Sequence, residues 1–136
     1  MSTTKDEQQV QVIVTDKAPA PGGTYSQGLV VNGFVFTAGC GPQDPETGQV
    51  AGKTIGEQTR QVLRNLAAIL AEAGAGFNDV IKVTAHLAEP ARDFAEYDAV
   101  CRETFSVPYP VRTTVGSHLV GMLVEIDVIA ALPRGD

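Results

Sequence analysis

The sequence predicts an α+β domain: a six-stranded mixed sheet with two helices on one face, in the order β-ββ-α-β-α-ββ. Three observations predict it. Asn32-Gly33 lies between the apolar runs Leu29-Val30-Val31 and Phe34-Val35-Phe36-Thr37, the pattern of a two-residue hairpin whose turn positions both take positive φ. Val62, Leu63, Leu66, Ile69, Leu70 and Ala73 recur at helical spacing and form a single apolar stripe. Val124, Ile126, Val128 and Ala130 alternate with Glu125 and Asp127, which is the period of a strand with one face covered.

Each element follows from local chemistry. Residues 1–9 are polar, without apolar period, and read as a flexible tail; residues 10–136 form one domain. Val10 to Val14 offers a short β-branched strand, and the Pro/Gly stretch from Ala18 to Gly23 is loop. After the hairpin, Gly39-Cys40-Gly41-Pro42 ends the strand and Asp44-Pro45-Glu46-Thr47-Gly48 makes a second turn. The first helix opens at Thr54, where Thr54 and Glu57 have capping-box spacing, and stops at Gly74 and Gly76. Val80 to Leu87 alternates as a strand, with Val80, Lys82, Thr84 and His86 expected on one face and Ile81, Val83, Ala85 and Leu87 on the other.

Pro90 suits the first turn of the second helix, which runs to about Phe105 with an inward stripe of Phe94, Tyr97, Val100, Cys101 and Phe105. Val107-Pro108-Tyr109-Pro110 forbids helix and leads into strands over Arg112 to His118 and Met122 to Leu132. Arg112, Thr114, Gly116 and His118 are expected on the uncovered face, together with Glu125 and Asp127. Such a mixed face is either wet or buried against another subunit, and the apolar neighbours Leu123 and Ile129 favour the second.

Composition narrows the function. Sixteen acidic and ten basic residues give a net charge of −6, which argues against a nucleic-acid groove or an anionic membrane surface. No apolar run reaches the ~18 residues of a membrane span. Cys40 and Cys101 form no CxxC pair and two histidines are too few for an obvious zinc site, so free buried thiols in a reduced, cytoplasmic setting are expected. His86 and His118 read as core or surface histidines. No phosphate-binding glycine loop and no Ser/His/Asp arrangement can be argued.

A few residues stand out. Arg112, just after Pro110, has the fork to clamp a carboxylate through two hydrogen bonds, or to make a surface or intersubunit ion pair. Glu125 sits in an apolar strand, where a carboxylate needs a partner or a water; acid/base work, a solvent-facing position and a structural tie to Arg112 all fit. Tyr25, in Gly22-Gly23-Thr24-Tyr25-Ser26-Gln27-Gly28, can close over a ligand or pack as a turn aromatic. Gly39-Cys40-Gly41 can offer backbone N–H groups to an anion or form a bulge. Cys40 has no histidine near it in sequence, which weighs against a nucleophile.

In order and spacing, these segments resemble the Rid family, the reactive-intermediate deaminases also called the YjgF family. The resemblance runs from Ala18 to Leu132 and rests on four pieces. They are Ala18 to Gly28, with its Tyr25-Ser26-Gln27 ending; Phe36-Thr37-Ala38-Gly39 followed by Asp44 to Gly48; Asp93-Phe94-Ala95; and Tyr109 to Thr114 with Val124 to Ala130. It implies a chorismate-mutase-like fold, a homotrimer with clefts between subunits, and no metal or organic cofactor. It also implies hydrolysis of small carboxylate-bearing imines and enamines, such as 2-aminoacrylate and 2-iminobutanoate, to 2-keto acids and ammonia.

Carried over by position, the resemblance makes Arg112 the holder of the substrate carboxylate and Glu125 the residue that positions water. Tyr25 lines the cleft, the backbone at Gly39 and Thr114 contacts substrate, and Asp98 stands where some members have Asn. Thr114 stands where well-studied members often have Cys, and Gly39-Cys40-Gly41 replaces the usual Gly-Gln-Ile/Val. Two function classes fit: an imine/enamine hydrolase, broad or pathway-specific, and a non-catalytic metabolite- or protein-binding trimer on the same scaffold.

Overall fold

The computed structural model describes residues 9–133. The expected tail over residues 1–9 lies outside the described residues, except for Gln9. Six strands form one sheet in the order β1-β2-β3-β6-β4-β5. They are β1 (Gln11–Ile13), β2 (Gly28–Val31), β3 (Phe34–Thr37), β4 (Val80–Leu87), β5 (Val111–Gly116) and β6 (Val124–Ala131). The two helices are α1 (Ile55–Glu72) and α2 (Pro90–Thr104), and a 3-10 turn spans Phe77–Asp79. Only the β4–β5 pairing is parallel, so the sheet is mixed as expected.

Local signals explain the joints. Asn32 (φ 53°) and Gly33 (φ 78°) both sit in the left-handed region that closes the β2–β3 turn. Thr54 caps α1: its Oγ1 accepts from the Glu57 backbone N at 3.1 Å and donates to the Glu57 carboxylate at 3.0 Å. Glu57 thus reaches the cap through the hydroxyl, a variant of the reciprocal pairing its spacing predicts. At the other end Gly74 turns left-handed (φ 80°), and Ala75 N donates to Leu70 O at 2.9 Å.

The core lies between the helices and one face of the sheet. Val62, Leu66 and Leu70 of α1 are fully buried, as are Val35, Ala85, Leu87, Val124, Ile126 and Ala130 from three strands. Each large aliphatic side chain buried in this way contributes ~1.5–3 kcal/mol. The apolar stripe of α1 continues into polar residues that are just as deep: Gln58, Thr59, Gln61 and Asn65 are all buried.

Three expectations about facing are corrected. In β4, Val80 is buried with Val83, Ala85 and Leu87, and Ile81 is exposed. A register shift between Val80 and Lys82 inserts one extra residue and reverses the parity there. In α2, Phe94 is 41% exposed and Asp93 is buried, so the inward stripe begins at Tyr97.

The third correction concerns β5. Arg112 pairs with Val83, Thr114 with Ala85 and Gly116 with Leu87. These three therefore share the helix-covered face, and Val111, Thr113 and Val115 look out on the uncovered one. Neither set of alternate β5 residues is decisively apolar, so alternation alone does not reveal which set faces inward. The expected face containing both Arg112 and Glu125 does not exist within one chain. His118 lies beyond the end of β5.

Candidate functional site

The singled-out residues gather in two places. The first is the gap between α2 and the edge strand β5. Arg112 Nη1 donates to Asp98 Oδ1 at 2.7 Å, and Arg102 Nη2 donates to the other Asp98 oxygen at 2.9 Å. Asp98 and Arg102 meet because they are four residues apart on one helix. The Arg112 guanidinium lies 5.4 Å from the Tyr97 ring centroid and 5.5 Å from that of Phe94, within cation–π range of both. This explains why Phe94 stays half exposed: it covers an arginine.

Burial works against the Arg112 charge, but the hydrogen bond the guanidinium donates to Asp98 and the charge of that carboxylate outweigh it, and the guanidinium is held firmly protonated. Its side chain remains 29% exposed. A cavity of about 270 Å3 opens beside it, lined by Asp98, Cys101, Arg102, Phe105, Tyr109, Pro110 and Arg112. Thr114 stands one step along β5, its Oγ1 3.4 Å from the Tyr97 hydroxyl. Burial pushes the Tyr97 phenol up to about 12 and also raises the Cys101 thiol, so both stay neutral.

The second place lies at the far end of the β3–β6 pairing. A cavity of about 490 Å3 is lined by Tyr25, Gly39, Cys40, Gly41, Gln43, Met122 and Glu125, among others. Cys40 and Ile126 exchange backbone hydrogen bonds at 2.8 and 3.0 Å, which sets Gly39 against Glu125. A β-carbon on Gly39 would overlap Glu125 Oε1 and approach its Cδ at 3.1 Å. Glycine is required here by a carboxylate, not by backbone torsion. Burial, then the charges of Glu125 and Asp127, push the Cys40 thiol up to about 12, which leaves it unfit as a nucleophile near neutral pH.

Two residues that sequence reasoning passed over build this second wall. Gln27 is buried; its Nε2 donates to the carbonyls of Thr15, Ala18 and Pro19, and its Oε1 accepts from Thr15 N at 2.8 Å. It pins the loop that leads to Tyr25, whose hydroxyl accepts from Gly22 N at 2.9 Å. Asn65, from α1, donates to Gly41 O and Gln43 O at 3.0 and 2.9 Å and fixes the opposite wall. The signal was present: Gln58, Gln61 and Asn65 recur at helical spacing beside the apolar stripe.

Arg112, Asp98 and Thr114 thus stand together, and so do Tyr25, Gly39 and Glu125, on opposite faces of the sheet. Among the described residues no three His, Cys, Asp or Glu side chains converge as metal ligands. Both cysteines are free and buried. No described helix is long and apolar enough to cross a membrane.

An open mixed sheet with two helices, an arginine held against α2 and a carboxylate set against a glycine make this a small α+β protein with two candidate half-sites. The family model described as endoribonuclease L-PSP matches residues 15–132, and the chain belongs to this family, which takes in the RidA and YjgF-like proteins. A RutC family protein of Pyrococcus abyssi is 45% identical over 122 residues, covering 88% of this chain and 95% of the relative. The 2-iminobutanoate/2-iminopropanoate deaminase of Rattus norvegicus is 35% identical, covering 88% of each chain. The crystal structure of RidA from an Antarctic Psychrobacter matches with a TM-score of 0.85 at 39% identity, covering 90% of this chain and 99% of that one.

Proposed function

We propose that this protein hydrolyses small 2-imino and enamine acids to 2-keto acids and ammonia, at sites assembled between copies of the chain in a homotrimer. The observation that carries this reading is the division of the candidate site. A partly exposed, ring-backed arginine faces one cavity, a carboxylate set against Gly39 faces another, and the sheet between them prevents one chain from using both on one small molecule. A second copy supplies what each half lacks. The uncovered face has the apolar surface for such a contact: Phe34, Phe36, Val111 and Val115 are all exposed on it.

In the proposed reaction Arg112 holds the substrate carboxylate, with the Phe94 and Tyr97 rings behind the guanidinium. An enamine first takes a proton at carbon and becomes the protonated imine. Glu125 orients a water and takes its proton as the oxygen adds to the imine carbon. Glu125 returns that proton to the nitrogen of the resulting amino alcohol, the C–N bond breaks as ammonia leaves, and the carboxylate takes up the hydroxyl proton as the carbonyl forms. An iminium is already electrophilic, so orientation and one charged clamp can supply much of the acceleration. No step needs a metal, an organic cofactor or a thiol, and this suits two cysteines held protonated by burial.

A non-catalytic binding trimer is the second reading, favoured by the Asp98 carboxylate that already occupies one face of the Arg112 guanidinium. A ribonuclease reading draws no support from a net charge of −6. The deciding experiment generates 2-iminobutanoate in place with an amino-acid oxidase and lets semicarbazide compete for it. Suppressed trapping by the wild type, lost in Arg112→Ala and Glu125→Gln, supports the enzyme. Equal trapping with and without the wild type supports the binding reading, and a monomeric mass by light scattering at micromolar concentration refutes the shared site.

A further inference from the structure

With Arg112 as the carboxylate clamp proposed above, the residue beside it decides what else the ligand must carry. Asp98 is a carboxylate at the mouth of an anion site, where it repels the ligand that the arginine attracts. Its position is nonetheless well built. One oxygen takes Arg112 Nη1 and the other takes Arg102 Nη2, the side chain is 25% exposed, and all three residues line the same cavity. The cavity therefore presents two positive groups with a negative one between them. A simple carboxylate meets attraction and repulsion together. A ligand with a positive nitrogen one carbon from its carboxylate matches both signs.

We infer that Asp98 is a specificity-determining residue that selects zwitterionic 2-imino acids, with a protonated nitrogen, over carboxylates of the same shape that lack the positive charge. The consequence for turnover follows from the chemistry. The protonated imine is zwitterionic, whereas the 2-keto acid product keeps the carboxylate and loses the cation. Asp98 therefore holds the substrate and helps to expel the product. A unit charge ~5 Å from Asp98, at an effective dielectric between ~40 and that of water, is worth roughly a fourfold to fifteenfold difference in affinity.

Two stable probes isolate the charge. L-2-Aminobutanoate and L-2-hydroxybutanoate share a skeleton and a carboxylate and differ by an ammonium against a hydroxyl. Titration calorimetry at pH 7.5 on the full chain should show the amino acid bound fourfold to fifteenfold more tightly by the wild type. In Asp98→Asn, which keeps the shape, that ratio should fall to about one and the hydroxy acid should bind more tightly. Arg102→Gln keeps Asp98 but strips one of its partners, and it should raise the ratio. In the deaminase assay, 2-oxobutanoate should inhibit Asp98→Asn at lower concentration than the wild type.

An unchanged ratio in Asp98→Asn, with both probes still dependent on Arg112, overturns the role of Asp98 and leaves the clamp standing. Binding of neither probe to the wild type, or binding indifferent to Arg112→Ala, overturns the clamp and this inference with it.

Discussion

Replacing Gly39 with alanine puts a methyl group where Glu125 Oε1 now sits, and within 3.1 and 3.3 Å of Glu125 Cδ and Cγ. Gly39 is not among the residues with positive φ, so alanine suits its backbone and the conflict is with Glu125 alone. The carboxylate is the far end of a flexible side chain and can swing aside. Leaving its rotamer well costs ~0.5–1.5 kcal/mol. In a domain of this size 1 kcal/mol lowers the unfolding midpoint by roughly 3–5 °C. The fold should therefore survive with a midpoint no more than about 7 °C lower. Activity should fall much further, because displacing a water-orienting group by ~1 Å costs on the order of a hundredfold, or ~2.7 kcal/mol in the barrier. Semicarbazide competition gives kcat/KM for Gly39→Ala, Glu125→Gln and the double variant. If Gly39→Ala acts through Glu125, the double variant should be hardly worse than Glu125→Gln. Additive losses, or Gly39→Ala activity within twofold of wild type, would refute the reasoning.

Arg112→Lys should lower kcat/KM by at least tenfold without unfolding the protein, since an ammonium loses the two-bond fork and stacks less well on Phe94 and Tyr97; kinetics beside a melting curve tests this. Neither Cys40 nor Cys101 should be alkylated by iodoacetamide at pH 8 in the folded protein, and both should be after denaturation, as mass spectrometry can count; a thiol at about 12 is ~0.01% thiolate at that pH. Asp127 is raised above its ordinary 3.8 by burial, with His86 and Lys82 pulling the other way. A carboxyl that holds its proton more tightly when folded loses stability as pH rises from below 3.8 through the folded value. Asp127→Asn should therefore raise the unfolding midpoint at pH 7, and the gain should vanish below pH 3.8.

Elements with strong local signals were legible in the sequence. Asn32-Gly33, the Thr54 cap and the Gly74 stop each depend on a few adjacent residues, and each forms where its chemistry places it. β6 was legible because its two faces differ sharply in polarity. β5 was not, because its inward set is Arg112, Thr114 and Gly116, and their side is fixed by the pairing with β4 and the approach of α2. The candidate site shows the same limit. The residue types were readable, but their division between two faces depends on contacts distant in sequence. Asp98 reaches Arg112 across fourteen residues, and Gln58 reaches the Leu123 backbone across sixty-five.

The extra residue in β4 bears on how this chain tolerates change. From Val83 onward the strand is in phase with β6, so His86 stands opposite Glu125 and Leu87 opposite Val124. The irregularity lies upstream, between Val80 and Lys82, next to the Phe77–Asp79 turn. Without Ile81, Val80, Lys82 and Val83 would alternate regularly. The strand thus carries a slack link: a one-residue gain or loss between the α1 stop and β4 is taken up at an exposed position before it can travel. Lengths in that connection can drift among related chains while the row of residues around Glu125 stays aimed as it is.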